Sequence, residues 1–436
     1  MGADTTSILC SGDLHLGRHP SRVDSGDKRF SVTAVWDRIV DAAIDHDVDA
    51  VALTGDVVDR DNRYYEALGP LERGIRRLSD RGIRTVAVSG NHDHDVLPLL
   101  AEHFDEDDFL LLGSGGNWTR HRLETSDGRS IDFVGWSYPD RHVRRSPIAE
   151  LDLDTDSETP VVGLLHADLD VPDSRYAPVT TAELDETPVT TWLLGHIHVP
   201  TLRKTPAGSQ ILYPGSPQPL DPTETGVHGP WVVEINRHGE STCRQLPLAN
   251  LRYESLQIPL DGVETEPEFD RIVTETLRDD LRTLATSTRH LERVVYRLRA
   301  TGRTALHRRL PDLRHPLVTD LELTFDGVVA GVDELCVETS PDLDLEQLAT
   351  GHDPPGVLAK LLFEIRTDEM GDEARALFRT LRKRLKEIHR SNAYAPLRVA
   401  RTDDEPDDQW LRQQVVTEGM SLLDEMLTAA REKHGG

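Results

Sequence analysis

Aspartates, histidines and one asparagine recur through the first half of the chain in five short motifs whose shared chemistry is metal coordination. In order they are Gly12-Asp13-Leu14-His15, Gly55-Asp56-Val57-Val58-Asp59, Gly90-Asn91-His92-Asp93, Leu165-His166 and Gly195-His196-Ile197-His198. Carboxylates, imidazoles and an amide, with no thiolate among them, suit hard and borderline divalent ions such as manganese, zinc, iron or magnesium. Two such ions about 3.5–4 Å apart can clamp the attacking and the leaving oxygen of an in-line displacement at phosphorus. A pair of ions needs one shared carboxylate and several further ligands each, and the five motifs hold enough donors for both. One Asp-x-His would say little, since both residues are common in loops. Five motifs in series require a common cause.

Each motif follows directly on a short apolar, β-branched run, at 7–11, 50–54, 84–89, 161–165 and 191–194, and such runs read as buried strands. Donors at the ends of five strands can converge although the sequence scatters them. Stretches 31–45 and 64–81 carry apolar residues at three- and four-residue steps and read as helices. A second run of strands at 131–136, 210–213 and 231–235 points to two packed sheets flanked by helices.

With these motifs the sequence resembles the calcineurin-like metallophosphoesterases, and within them the SbcD-type DNA-repair nucleases. The closer likeness lies in Asp13-Leu14-His15-Leu16-Gly17-Arg18, in Gly195-His196-Ile197-His198-Val199-Pro200 and in Tyr213-Pro214-Gly215-Ser216-Pro217. The resemblance implies an α/β (α+β) fold, a four-layer sandwich of two sheets flanked by helices, with a small α+β cap and a helical C-terminal segment. It implies Asp13, His15, Asp56 and His198 as ligands of one ion, and Asp56, Asn91, His166 and His196 as ligands of the other. Asp56 is then the bridge. His92 matches the catalytic histidine that assists the leaving oxygen. Asp59 and Asp93 would orient neighbouring imidazoles. Arg18, by a bidentate contact, and the Gly215-Ser216 turn, through backbone N–H groups, would approach substrate phosphates. Beyond Pro217 the stretch Gln218-Pro219-Leu220-Asp221-Pro222 departs from the pattern, which leaves substrate selection there unassigned.

The 436 residues suffice for two or three domains. The metal motifs place a nuclease domain at 1–249. Residues 251–346 read as an α+β capping domain, with strands at 254–260, 292–298 and 320–325 and helices at 266–286 and 305–310. Residues 353–436 read as helical, interrupted by an acidic stretch at 402–408. The first part carries the densest basic run of the chain: Arg375, Arg379, Arg382, Lys383, Arg384, Lys386 and Arg390. The last helix, 410–432, sets Leu411, Val415, Val416, Met420, Leu423, Leu427 and Ala430 along one face. The resemblance implies that this face grips an SbcC-like ATPase; the other reading folds it back on its own domain.

Net charge is −28, with 77 acidic against 49 basic residues. Only Lys28, Lys204, Lys360, Lys383, Lys386 and Lys433 are lysines, so the other 43 basic residues are arginines. Such a balance argues against DNA at ordinary ionic strength. It also fits a halophilic prokaryote, whose molar salt shortens the Debye length to about 3 Å and removes distant repulsion. Cys10, Cys243 and Cys336 are odd in number and far apart, which excludes a disulfide framework or zinc cluster. No apolar stretch reaches the 18 residues of a membrane span, and no signal peptide precedes the first strand. Met1-Gly2-Ala3-Asp4-Thr5-Thr6 matches a myristoylation pattern only formally. A cytoplasmic location follows. The expected protein is a DNA exonuclease with two divalent ions, manganese foremost, acting in double-strand-break repair, with endonuclease activity and a homodimer left open. The alternatives are a phosphodiesterase or phosphatase acting on small nucleotides, and a scaffold with a vestigial metal site.

Overall fold

The computed structural model describes residues 5–59, 63–125, 127–153, 159–389 and 407–434. The first compact unit comprises Met1–Ser255, Arg278–Arg297 and Leu321–Asp333. The second comprises Leu256–Leu277, Leu298–Asp320 and Glu334–Gly436.

The chain opens with β1 (Thr5–Ser11), α1 (Val32–Asp45), β2 (Ala50–Leu53), α2 (Arg63–Ser79), β3 (Arg84–Ala87), α3 (Leu97–Ala101) and β4 (Phe109–Leu111). It continues through β5 (Thr119–Glu124), β6 (Ser130–Trp136), β7 (Val161–His166), α4 (Thr181–Asp185), β8 (Thr191–Gly195), β9 (Thr201–Lys204), β10 (Gln210–Tyr213), β11 (Trp231–Asn236) and β12 (Ser241–Gln245). These strands make two six-stranded sheets, in the orders β12-β11-β1-β2-β3-β4 and β5-β6-β7-β8-β10-β9. Neighbours β1, β2, β3 and β4 run parallel, as do β6, β7, β8 and β10, so their carboxyl ends share an edge.

The two-residue period of a strand sorts the side chains into layers. Ile8, Cys10, Ala50, Ala52 and Val86 of the first sheet meet Phe133, Val162, Leu164, Leu193 and Leu212 of the second in one buried cluster. Their neighbours Leu9, Val51 and Leu53 point the other way, onto Val35, Trp36 and Ile39 of α1 and Leu71, Ile75 and Leu78 of α2. Ser31 caps α1, its side chain accepting the Ala34 N–H. The outer face of the second sheet is buried with Tyr138, Ile148, Ala177, Val179 and Leu184. The expected sandwich of helices, sheet, sheet and an outer layer is therefore the observed one.

Beyond Asn250 the chain forms β13 (Leu251–Pro259), α5 (Glu266–Ser287), β14 (Arg293–Thr304), α6 (Leu310–Asp320), β15 (Glu322–Phe325) and β16 (Val328–Pro341). A four-stranded sheet runs β13-β14-β16-β15. Two expectations are corrected here. The helix expected at 305–310 begins instead at Leu310, where Pro311 sits in the first turn, a position that costs no hydrogen bond. The strand expected to be last is followed by the 14-residue β16. Asp326 (φ 49°) and Gly327 (φ 83°) turn between paired Phe325 and Val328, a tight hairpin that needs positive φ at both central residues.

The C-terminal helices are α7 (Leu345–Leu348), α8 (Pro354–Thr367), α9 (Asp372–His389) and α10 (Asp408–His434). Leu345, Ala359 and Leu362 pack with Met420 and Leu423, and Ile365, Ala374 and Phe378 with Leu411. The apolar face expected to await a partner is thus largely covered from within its own unit. Trp410 and Leu422, 45% and 50% exposed, stay outside it. Most of the acidic stretch 402–408, and Arg390 of the basic run, lie outside the described residues.

Candidate metal centre

The loops leaving β1 and β2 run side by side: Asp13, His15 and Leu16 donate their N–H groups to the carbonyls of Gly55, Asp56 and Val57, at 3.1, 2.8 and 2.9 Å. Asp13 (φ 49°), His15 (φ 50°), Asp56 (φ 48°) and His196 (φ 97°) all take left-handed backbone conformations. Such residues are uncommon outside glycine, and they gather where a structure holds side chains against local preference for a purpose. Two glycines allow close approaches here. A Cβ on Gly195 would stand 2.0 Å from the Thr54 carbonyl oxygen, and one on Gly90 would stand 2.3 Å from the Asp56 carboxylate.

Donor atoms of Asp13, His15 and His198 lie within 4.8 Å of one another, as do those of Asp13, Asp56 and His166. His15 and His198 point their Nε2 atoms at each other, 3.2 Å apart. Behind them, His198 Nδ1 is 2.8 Å from Glu224 Oε1 and His15 Nδ1 is 3.4 Å from Asp59 Oδ2. His166 turns Nδ1 to the Thr54 carbonyl (3.1 Å) and Nε2 toward Asn91 Oδ1 (3.1 Å) and Asp56 Oδ2 (3.3 Å). That same Asp56 oxygen lies 3.8 Å from His15 Nε2, between the imidazoles of the two groups, while Oδ1 accepts the His92 N–H at 2.8 Å. His196 donates its N–H to the Asp13 carboxylate (3.0 Å) and sets Nε2 3.3 Å from Asp168 Oδ1, its ring 5.2 Å from that of His166.

These contacts test whether the residues fit divalent ions. His198 Nδ1 and His166 Nδ1 face oxygen acceptors at hydrogen-bond distance, which turns each Nε2 into the cluster as a ligand atom. Nε2 of His198 then faces Nε2 of His15, and that of His166 faces two oxygens. Donor atoms brought to 3.1–3.3 Å of one another need positive charge between them, which a proton or a divalent ion supplies. The donor set therefore fits cations at both places. Burial pulls the His166 imidazolium down, but the Asp56 carboxylate outweighs it and pushes the pKa up to about 9. Asp56 is itself buried, which opposes ionisation, yet His166, His15 and His92 hold it well below the carboxylate range.

His92 differs from the others. It is half-buried, its ring packs edge-on against His15 with centroids 5.0 Å apart, and burial lowers its pKa. Asp59 lies 3.4 Å from His15 Nδ1 and also meets Arg18 Nε at 3.4 Å, so the Arg18 guanidinium leans on a carboxylate.

Two expectations are corrected. Asp93 orients no imidazole: its carboxylate accepts the N–H groups of Gly90 (2.7 Å), Val57 (2.7 Å) and Val58 (3.3 Å), tying the third motif to the second. Burial, and then the nearby Asp56 charge, raise its pKa to about 7. Ser216 does not offer its N–H to the expected phosphate cradle. Ser216 is fully buried and its N–H is donated to the His198 carbonyl at 3.0 Å, and a Cβ on Gly215 would stand 2.5 Å from that same oxygen. His228 is buried with its Nδ1 on the Ser216 carbonyl (2.7 Å). Asp168 and Glu224 went unread in the sequence. Asp168 stands two residues after His166, a spacing that could have marked it; Glu224 lies in a stretch with no motif.

Residues 6–200 match the calcineurin-like phosphoesterase family. Residues 253–340 match the middle domain of the metallophosphoesterase YhaO. The uncharacterized metallophosphoesterase YhaO of Bacillus subtilis is 27% identical over 52% of this chain and 57% of its own length. DNA double-strand break repair proteins Mre11 are similar too. That of Methanopyrus kandleri is 28% identical over 52% of this chain and 53% of its own, and that of Haloferax volcanii 31% over 53% and 49%. The chain thus spans about half the length of these relatives. Over residues 6–200, less than half of the chain, the sequence is similar to calcineurin-like phosphoesterases, and the paired donor clusters lie within that stretch.

Proposed function

We propose that the protein is a metal-dependent DNA nuclease of the SbcD type, an exonuclease of double-strand-break repair, with manganese as its ion. The observation that carries the hydrolytic part is the convergence of imidazole, carboxylate and amide donors around Asp56, a donor set that fits two divalent ions. Asp13, His15, Asp56 and His198 would hold one ion, and Asp56, Asn91, His166 and His196 the other. When bound, two divalent ions stabilise charge on the phosphoryl oxygens and activate water. Asp56 would be held in both sets, with Oδ1 steadied by the His92 N–H. His92, half-exposed at the edge of the cluster, is placed to hand a proton to the departing oxygen.

A polyanionic substrate is favoured by the rim on the His196 side. Tyr176 lies against His196, ring centroids 4.7 Å apart, and the Arg175 guanidinium carbon is 5.8 Å from the Tyr176 ring centroid. Backbone bonds of Val143 N–H to Arg175 O (2.9 Å) and Ala177 N–H to Val143 O (2.8 Å) bring exposed Arg141 and Arg144 beside it. In a chain of net charge −28, three exposed arginines next to the cluster suit phosphates. The acidity itself fits a salt-rich cell interior. Among the described residues no helix is long and apolar enough to cross a membrane. The reading extends to an SbcC-like ATPase, whose contact would use outward residues such as Trp410 and Leu422 rather than the covered face. Manganese-dependent assays at high salt on duplex DNA ends and on cyclic nucleotides test it. Release of nucleotides from DNA supports it, and turnover confined to cyclic nucleotides refutes it.

A further inference from the structure

We infer that Glu224 is a positioning residue that fixes the ring of His198 and thereby holds the first of the two ions. The inference rests on the metal-centre reading proposed above.

Both oxygens of Glu224 are committed. Oε1 lies 2.8 Å from His198 Nδ1, and Oε2 accepts the Ser216 hydroxyl at 2.7 Å and the Leu220 N–H at 2.9 Å. The residue is 7% exposed and Ser216 is 0% exposed, so water does not compete for these bonds. Ser216 in turn donates its N–H to the His198 carbonyl at 3.0 Å, and His228 donates from Nδ1 to the Ser216 carbonyl at 2.7 Å. The loop therefore grips His198 twice, by its backbone and by its ring.

A carboxylate behind an imidazole keeps the proton on Nδ1, raises the basicity of Nε2 and fixes where its lone pair points. Here it points at His15 Nε2, 3.2 Å away, which itself has the Asp59 carboxylate behind it. Glu224 touches no imidazole of the second group, where His166 leans on the neutral Thr54 carbonyl and His196 on Asp168. Loss of Glu224 should therefore be felt by one ion and not by the other. The stretch Gln218-Pro219-Leu220-Asp221-Pro222 gains a purpose through its backbone: Leu220 N–H holds the Glu224 carboxylate in place.

The test is a manganese titration of the full chain, with bound metal counted after equilibrium dialysis and the spin coupling of the pair read by electron paramagnetic resonance. Wild type should bind two ions with a coupled signal. Glu224→Gln should weaken one ion about 10–100-fold, the usual cost of losing such a partner, and leave an uncoupled single-ion signal at intermediate metal. Wild-type affinity for both ions in folded Glu224→Gln overturns the inference, and so does an equal weakening of both, which a merely structural role would give. Should Glu224→Gln fail to fold, Ser216→Ala decides: a few-fold loss confined to one ion supports the inference, and unchanged binding overturns it. A wild type that binds no manganese would instead overturn the metal-centre reading on which the inference stands.

Discussion

Gly195→Ala probes the closest approach in the site. The added Cβ would stand 2.0 Å from the Thr54 carbonyl oxygen and 2.6 Å from His166 Nδ1. Ordinary contact begins at 3.4 Å, so the Thr54 carbonyl must retreat by about 1.4 Å, and it is backbone rather than the end of a flexible side chain. Thr54 O is also the group that fixes His166, at 3.1 Å from Nδ1, and Gly195 is paired with His166 in the β7–β8 register. One methyl group therefore drives the ends of β2 and β8 apart and releases an imidazole of the second group. Overpacking of this kind costs about 1–3 kcal/mol in stability. A misplacement near 1 Å at a reacting centre costs on the order of 10² in rate. Chemical denaturation gives the first number, and initial rates of manganese-dependent diester hydrolysis give the second. A Gly195→Ala protein with wild-type rate and stability would refute the argument that the two sheet ends are pressed together to build the site.

His92→Gln should keep both ions in metal analysis and lose on the order of 10²–10⁴ in turnover, the usual contribution of acid–base assistance; loss of metal would make His92 a ligand instead. Asp132, though buried, is held below the usual carboxylate range by Arg122 (2.8 Å) and Arg120 (3.1 Å). Its stabilisation is fully present above the unfolded value of about 3.9 and is lost as pH falls through the lower folded value. Asp132→Asn should thus cost about 1–2 kcal/mol at neutral pH, the low end because both guanidiniums keep water contact, and the gap to wild type should close below about pH 4 in acid unfolding. A gap that widens in acid would reverse the assignment. Replacing Arg141, Arg144 and Arg175 together by glutamine should weaken DNA binding and reduce the salt slope by up to about 3, one for each lost phosphate contact; an unchanged slope would remove the rim from the account.

The metal motifs were legible because each ends a buried strand, where a β-branched run and a polar ligand meet in sequence. Asp13, His15, Asp56 and His166 converge as their motifs suggest, and the layers follow from alternation such as Ile8 and Cys10 against Leu9. Edge strands were harder. Thr119–Glu124 is mostly exposed and polar, so it shows no buried face to read. Glu224 was invisible because its role depends on a loop folding back across 26 residues to His198, which no local spacing records. Ser216 was misread for a related reason: its turn looks like a phosphate cradle until the acceptor of its N–H is known. The hairpin at Asp326-Gly327, by contrast, was present in the sequence as an Asp-Gly pair between β-branched runs.

Asp56 carries the central claim, since one of its oxygens lies 3.3 Å from His166 Nε2 and 3.8 Å from His15 Nε2. The most direct measurement is the manganese content of wild type and Asp56→Asn after dialysis, read beside diester hydrolysis by the same samples. A shared bridge predicts two ions per wild-type chain, with occupancy and turnover collapsing together in the variant. Two retained ions with near-normal turnover in Asp56→Asn would contradict it.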